Sequence, residues 1–360
     1  MDPERLELIE IDTKQQLVQT GDTLFTTSSE TPEDVGMSSV WLSDQKDVYL
    51  NSFCFGYRQN GSFDALYLAY MLRSSLFRSK MKVLAQGISR FNISRKRVME
   101  TPVPLPQIAE QKAIGDFFSR LDSLITLHQR KLEHLREMKR GLLQKMFPRD
   151  GESAPELRFP GFTDPWEQRK LGEVTRRVTR KNKNNISKLP LTISAQYGLV
   201  DQESFFKKRV ASRDMSGYYL MKKGEFAYNK STSSDSPWGA IKRLERYEKG
   251  CVSTLYIVFS ATSVDPQFLA TYYDSDHWFK GVRAIAAEGA RNHGLLNIAP
   301  SDFFNTTIRI ACSEMEQQAI GAFFKSVDSL ITLHQRKELA SVVNCLQIGD
   351  GPINPNRTVP

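Results

Sequence analysis

Residues 110–131 read EQKAIGDFFSRLDSLITLHQRK, and residues 316–337 read EQQAIGAFFKSVDSLITLHQRK. Seventeen of these 22 positions are identical, at a constant offset of 206. The sequences between and before the two copies diverge. A chain built this way carries two equal helical segments beside two unequal domains. The simplest reading is one constant partner touched twice, while the rest of the chain reads something variable.

The first copy opens a long helix. Pro102, Pro104 and Pro106 precede it, and no helix runs through them. Apolar residues then fall at Ile114, Phe117, Phe118, Leu121, Leu124, Ile125, Leu132, Leu135, Met138, Leu142 and Met146, spaced by threes and fours as a coiled-coil seam requires. His128 lies in register on that stripe. A helix over 107–147 would be roughly 60 Å long, too long for one wall of a small domain. The second copy supplies a partner helix. Ser313 and Glu316 have the spacing of a capping box, and the stripe runs through Ile320, Phe323, Phe324, Val327, Leu330, Ile331 and His334. The copies part after Lys337. The expected second helix spans 313–346, and a Gly- and Pro-rich disordered tail occupies 347–360.

Between the helices, 149–312 opens with a turn-rich stretch, PRDGESAPELRFPGFTDPW. Strand-like runs follow at 189–195, 224–229, 239–244 and 251–259, then a helix from Pro266 with Asp265 as its N-cap. Residues 1–106 hold a shorter relative of this domain. Gly21–Phe25 lines up with Gly224–Tyr228, Asp64–Ala69 with Asp265–Ala270, and Asn92–Ser94 with Asn297–Ala299. Counterparts of 149–203 are missing, so the first domain reads as incomplete. A domain lacking a third of its core should fold poorly and need cover from a second chain.

Net charge is +8 and the pI is near 9.2, which favours a polyanionic partner. The charge is uneven. Residues 1–40 hold nine acids and two bases, whereas 166–188 hold eight bases and two acids. No apolar run reaches the roughly 20 residues that span a bilayer, and the acidic start, MDPERLELIEID, is unlike a signal peptide. The expectation is a soluble cytoplasmic protein with no membrane partner. Cys54, Cys251, Cys312 and Cys345 are scattered and read as reduced thiols, not as a metal site.

The order of variable domain, repeated helix, variable domain, repeated helix resembles the DNA-specificity subunit of type I restriction–modification enzymes. The resemblance is carried by the segment from Pro102 through Phe147, including LDSLITLHQRKLEHLREMKRGLLQKMF, and by LRFPGFTDPWEQRKLGEV, AYNKS, GAIKRL and VSTLYIVF. It covers residues 10–337. It implies an α+β protein with two α/β target-recognition domains, the first incomplete, joined by long helices that pair as an antiparallel coiled coil. It further implies that each domain reads one half of a split sequence in double-stranded DNA. Two methyltransferase (modification) subunits would bind the constant regions, and a restriction subunit would join through the complex.

Candidate DNA contacts follow from charge and loop chemistry. Arg176, Arg177, Arg180, Lys181 and Lys183 suit phosphates. Asn229, Lys230, Ser231 and Thr232, in a polar loop between strands, suit base edges and phosphates. Their counterpart in the first domain is Thr26–Ser29. Arg90 and Arg291 with Asn292, each in a segment with glycine, suit phosphate or guanine. Candidate partner contacts are Glu110, Gln111 and Phe118 in the first copy and Glu316, Gln317 and Phe324 in the second. Capping and core packing are competing explanations for all six. The sequence holds no GxGxxG, Walker loop, Asn-Pro-Pro-aromatic, HExxH or GxSxG motif. The chain therefore reads as a non-catalytic specificity subunit needing no cofactor or metal. The rival reading is a truncated, recombination-derived subunit that binds one half-site, or that serves the methyltransferase as a scaffold without competent DNA readout.

Overall fold

Gly21 at φ 90° and Gly224 at φ 88° turn the chain into two equivalently placed strands, TLFT and FAYN. Left-handed backbone of this kind costs glycine nothing and other residues about 1 kcal/mol or more. The computed structural model describes residues 15–194, 197–233, 236–286 and 294–349, with backbone alone for 337–349. The chain divides into two compact units. One extends to Gln129 and takes in residues from Ser341, and the other is Arg130–Ala340.

In the first unit, β1 (Thr23–Thr26), β2 (Ser28–Ser29), β3 (Ser38–Val40) and β4 (Cys54–Tyr57) come first. β3, β1 and β4 form an antiparallel sheet in that order. Helices α1 (Ala65–Arg73) and α2 (Ser75–Leu84) follow, capped by the side chains of Asp64 and Ser74. Then come β5 (Phe91–Asn92), α3 (Arg95–Met99) and α4 (Ile108–Lys145). Side chains alternate across the sheet. Phe25 and Phe55 stack at 5.1 Å on one face and join Tyr67, Leu72, Phe77 and Met81. Leu24 points the other way, into a small core of Val18, Trp41 and Val48. Trp41, 1% exposed, is the lid of that face. Trp41 follows β3 directly and packs with Leu24, Val18 and Val48 on that face.

The second unit adds β6 (Glu167–Lys170), α5 (Leu171–Val174), β7 (Thr175–Arg177), β8 (Leu191–Ser194), β9 (Gly198–Asp201), α6 (Gln202–Phe206), β10 (Tyr219–Lys222), β11 (Phe226–Asn229), β12 (Ala240–Arg243), β13 (Lys249–Val252) and β14 (Ile257–Ala261). It ends with α7 (Pro266–Asp274), α8 (Phe279–Ile285), α9 (Pro300–Asn305), β15 (Thr307–Ile310) and α10 (Glu314–Gly349). Its main sheet has the order β12-β11-β14-β7, with each neighbouring pair antiparallel. Both faces of the sheet are buried. Phe226, Tyr228, Ile257 and Phe259 enter the larger core with Trp166, Phe268, Tyr272 and Phe303. Ala227 and Val258 enter a second core with Leu191, Leu199 and Met221. Leu143, Met146 and Phe147 bring the end of α4 and the residues after it into the larger core.

The run 251–259, read from the sequence as one strand, is two. Ser253 accepts the Tyr256 N–H on its carbonyl and the Leu255 N–H on its hydroxyl, which turns the chain between β13 and β14. Among the described residues, the sheet of the first unit has three strands where that of the second has four. The added strand is β7, which lies in the segment 149–203. The tail expected at 347–360 lies outside the described residues beyond Gly349, as do 1–14.

Candidate nucleic-acid interface

The repeated segments do the same structural work in each unit. In the first, the Gln111 side-chain oxygen accepts the Asp64 N–H at 2.8 Å, and its amide nitrogen donates to the carbonyls of Pro106 (2.9 Å) and Ser62 (3.1 Å). In the second, Gln317 accepts the Asp265 N–H at 2.8 Å and donates to the Ala311 carbonyl at 2.8 Å. Asp64 and Asp265 are the N-caps of α1 and α7. A glycine one turn further on lets the helices close. A Cβ at Gly115 would lie 2.8 Å from Leu66 Cβ and from the Tyr67 backbone nitrogen, and one at Gly321 would lie 2.9 Å from Gln267 Cγ. Each repeat is therefore a clip that holds the start of its domain's helix.

This placement corrects part of the expectation for partner contact. Gln111 and Gln317 are buried, with both ends of their amides engaged inside their own unit. Glu316 is fully buried. Its carboxylate accepts Arg158 Nε (2.7 Å), Arg158 Nη2 (2.8 Å) and Trp166 Nε1 (3.3 Å), so it serves a buried ion pair more than the expected capping box. Phe324 is 1% exposed and lies in the larger core. The identical residues of the first copy differ. Glu110 is exposed, and Phe118 is 38% exposed, packed on Tyr70 at 5.2 Å. Among the described residues no arginine or tryptophan faces Glu110 as Arg158 and Trp166 face Glu316. Leu124 and Leu127 in one copy, and Leu330 and Leu333 in the other, are about half exposed at matching positions.

In the first unit the polar loop meets the arginine segment, and in the second the polar loop meets residues 294–296. In the first, β2 pairs with β5, setting Ser28 opposite Asn92 and Ser29 opposite Phe91. The Arg90 Nε donates to Ser28 Oγ at 2.7 Å. In the second, Ser231 bridges Leu295, the Thr232 N–H donates to the Gly294 carbonyl at 2.6 Å, and the Leu296 N–H donates to the Lys230 carbonyl at 3.0 Å. Asn229 turns this loop by accepting the Ser231 N–H. The Lys230 ammonium donates to the Ile298 carbonyl at 3.2 Å, and burial lowers its pKa. Arg291 and Asn292 lie outside the described residues.

The basic segment divides by role. Arg176 and Arg177 are exposed neighbours on β7, an edge strand, so their side chains leave opposite faces of the sheet. Arg180 is drawn inward by Glu225 (2.9 and 3.2 Å) and the Leu220 carbonyl. Lys181 lies over the Tyr219 ring at 4.3 Å and donates to the Gly217 carbonyl. Lys183 is exposed and has no ion pair among the described residues. Buried Asn182 organises the stretch. It donates to the Ser187 and Met215 carbonyls and accepts the Ser187 N–H. Asn185 bonds Asp214, which carries exposed Arg213 alongside. The bond that ties Asp214, and with it the neighbouring Arg213, to Asn185 spans 29 residues and has no local signal in the sequence.

The second unit also holds a charged junction. Lys139 on α4 bridges Asp274 (2.8 Å) and Asp328 (2.7 Å), and Lys242 on β12 bonds Asp274 at 2.6 Å. Burial opposes the charge on Asp274, but Lys242 and Lys139 outweigh it and hold its pKa at about 2. For Asp328 burial wins, and its pKa is raised. These groups line a cleft of about 590 Å³ with Arg136 and Arg140. Among the described residues no cluster of three His, Cys, Asp or Glu could hold a metal ion, and no helix is long and apolar enough to cross a membrane.

Comparison with known proteins agrees with this architecture. Residues 6–137 match the family model for the type I restriction modification DNA specificity domain. Two specificity subunits of Methanocaldococcus jannaschii are similar in sequence. The MjaVIII subunit is 30% identical over 120 residues, covering 32% of this chain and 28% of that protein. The putative MjaX subunit is 27% identical over 110 residues, covering 29% and 26%. The matched stretches thus span little more than a quarter of these relatives. The fold is that of the type I system S subunit from M. genitalium, with a TM-score of 0.56 at 13% identity over 91% of this chain and 82% of that one. A chain from a structure of type I restriction–modification complex assembly and conformational transition aligns at a TM-score of 0.51 and 14% identity, over 94% and 82%. By a family model over residues 6–137, by sequence relatives over about a third of the chain and by fold, the chain is similar to the type I restriction–modification specificity subunits.

Proposed function

We propose that this chain is the non-catalytic, sequence-specific DNA-binding subunit of a type I restriction–modification complex. It recognises a split target in double-stranded DNA and directs modification subunits, and through them a restriction subunit, to that target. The observation that carries the reading is the shared build of the two units. Each clips a helix, α1 or α7, with the same glutamine and glycine, and each brings a polar loop against the segment that follows a Gly-Ile-Ser-Arg or Gly-Ala-Arg string. Constant clips with differing loops suit two readers of different half-sites. The half-exposed leucine pairs Leu124/Leu127 and Leu330/Leu333 recur at identical positions, which suits two copies of one partner. Arg176, Arg177, Lys183 and Arg213 supply phosphate contacts in the second domain, and Arg90 a DNA contact in the first.

Co-expression with type I modification subunits tests this. The expected result is a stable complex that retains duplex DNA at a salt concentration where neither component alone does. Absence of any complex would contradict the assignment. A second reading has one observation in its favour. Among the described residues, the first unit has no strand in the place of β7 and no counterpart of its basic segment. On that reading only the second domain reads DNA, and one contiguous half-site is selected.

A further inference from the structure

Arg90 stands at the foot of a tip closed by two backbone hydrogen bonds, Gln86 N–H to the Asn92 carbonyl (2.9 Å) and Asn92 N–H to the Gln86 carbonyl (2.8 Å). Gly87 makes the tip possible. Its φ is 148°, and a Cβ there would lie 1.9 Å from the Arg90 carbonyl oxygen. The Arg90 side chain is held twice. Its Nε donates to Ser28 Oγ at 2.7 Å, and its guanidinium carbon lies 5.1 Å from the centre of the Phe53 ring. Among the described residues no carboxylate pairs with it, and neither terminal amino group has a partner. The same tip carries Ile88, which is 98% exposed. From Gln86 to Arg97 the chain has Arg90, Arg95, Lys96 and Arg97 and no acid.

A phosphate contact needs charge but little orientation, and a flexible lysine serves it well. A guanidinium whose Nε and ring face are fixed, with both terminal amino groups presented side by side, matches the O6 and N7 acceptors of guanine in the major groove. We infer that Arg90 is a guanine-reading residue of the first domain, with Ser28 and Phe53 as the positioning residues that orient its fork. This rests on the reading in which the first domain binds duplex DNA.

The test uses the full chain in complex with its modification subunits. Random-sequence duplexes are selected at fixed salt, and affinity is then measured against salt concentration. Arg90→Lys keeps the charge and removes the fork. It should relax the preference for guanine at one position by about 5- to 150-fold, the usual worth of one bidentate pair, while the salt slope stays unchanged. Ser28→Ala should weaken the same preference, by less. Retention of every base preference by Arg90→Lys would overturn the inference. So would a uniform loss of affinity in Arg90→Ala, with the salt slope reduced by about one and no positional change, since that marks a phosphate contact. Both of those results leave the DNA-binding function standing. A wild-type complex with no sequence preference at all would overturn the function and this inference together.

Discussion

Gln317 accepts the backbone N–H of Asp265 at 2.8 Å across 52 residues of sequence, and Gln111 does the same for Asp64 across 47. Each glutamine thereby fixes the N-cap of a domain helix against its spacer helix. Gln317→Ala or Gln111→Ala leaves a buried amide hydrogen without its acceptor. The expected cost is about 1–3 kcal/mol, read as a lower urea midpoint at unchanged slope. Gly115→Ala and Gly321→Ala should destabilise by a similar amount through overpacking.

Glu110 and Glu316 are the same residue of the repeat in two environments. Glu316→Gln removes the charge partner of Arg158 from a buried pair and should cost about 3–5 kcal/mol. Glu110→Gln, at an exposed position, should be close to neutral. Urea unfolding of the two variants side by side checks the contrast. Equal effects would contradict the assignment of Glu316 to a structural ion pair.

The junction at Asp274 predicts an acid limb to stability. The folded-state pKa, about 2, lies below the ordinary value of 3.8. Its contribution is therefore fully present above pH 4 and is lost as pH falls towards 2. The size is about 2 kcal/mol. Asp328, with a raised pKa, acts in the opposite sense, adding stability as pH falls from its raised value to 3.8, so its effect lies mainly above that window. Asp274→Asn should flatten the pH dependence between 4 and 2 in a urea-midpoint series, and Lys139→Ala should weaken it.

Lys183→Ala should reduce the slope of log affinity against log salt by about one, equally for all DNA sequences, as for loss of one phosphate contact. Arg180→Ala should alter that slope less, because its guanidinium is engaged by Glu225, and should instead lower stability. Binding isotherms over a salt series distinguish the two.

The helices and most strands were legible because their signals are local. Asp265 and Pro266 announce α7, the three-and-four spacing announces α4, and the continuous apolar runs of β11 and β14 fit a sheet buried on both faces. The candidate site was legible as a list of segments and not as a surface. Pairing of Ser28 with Asn92 and of Ser231 with Leu295 depends on contacts across more than 60 residues, which periodicity does not encode. In sequence the repeat has the look of a partner-binding element. Its first half proves to be a clip, because a glutamine that reaches a distant N-cap and a glycine that admits a crossing helix look, in sequence, like any conserved-seeming helix start. Trp41, which closes the second face of the first domain's sheet, gave no warning at all.

Reading of DNA by both domains is open to direct measurement. Its most direct test is selection of random-sequence duplexes by the complex of this chain with its modification subunits at fixed salt. Two reading domains should enrich two short fixed half-sites separated by a constant number of unspecified base pairs. Recovery of all sequences alike would contradict it.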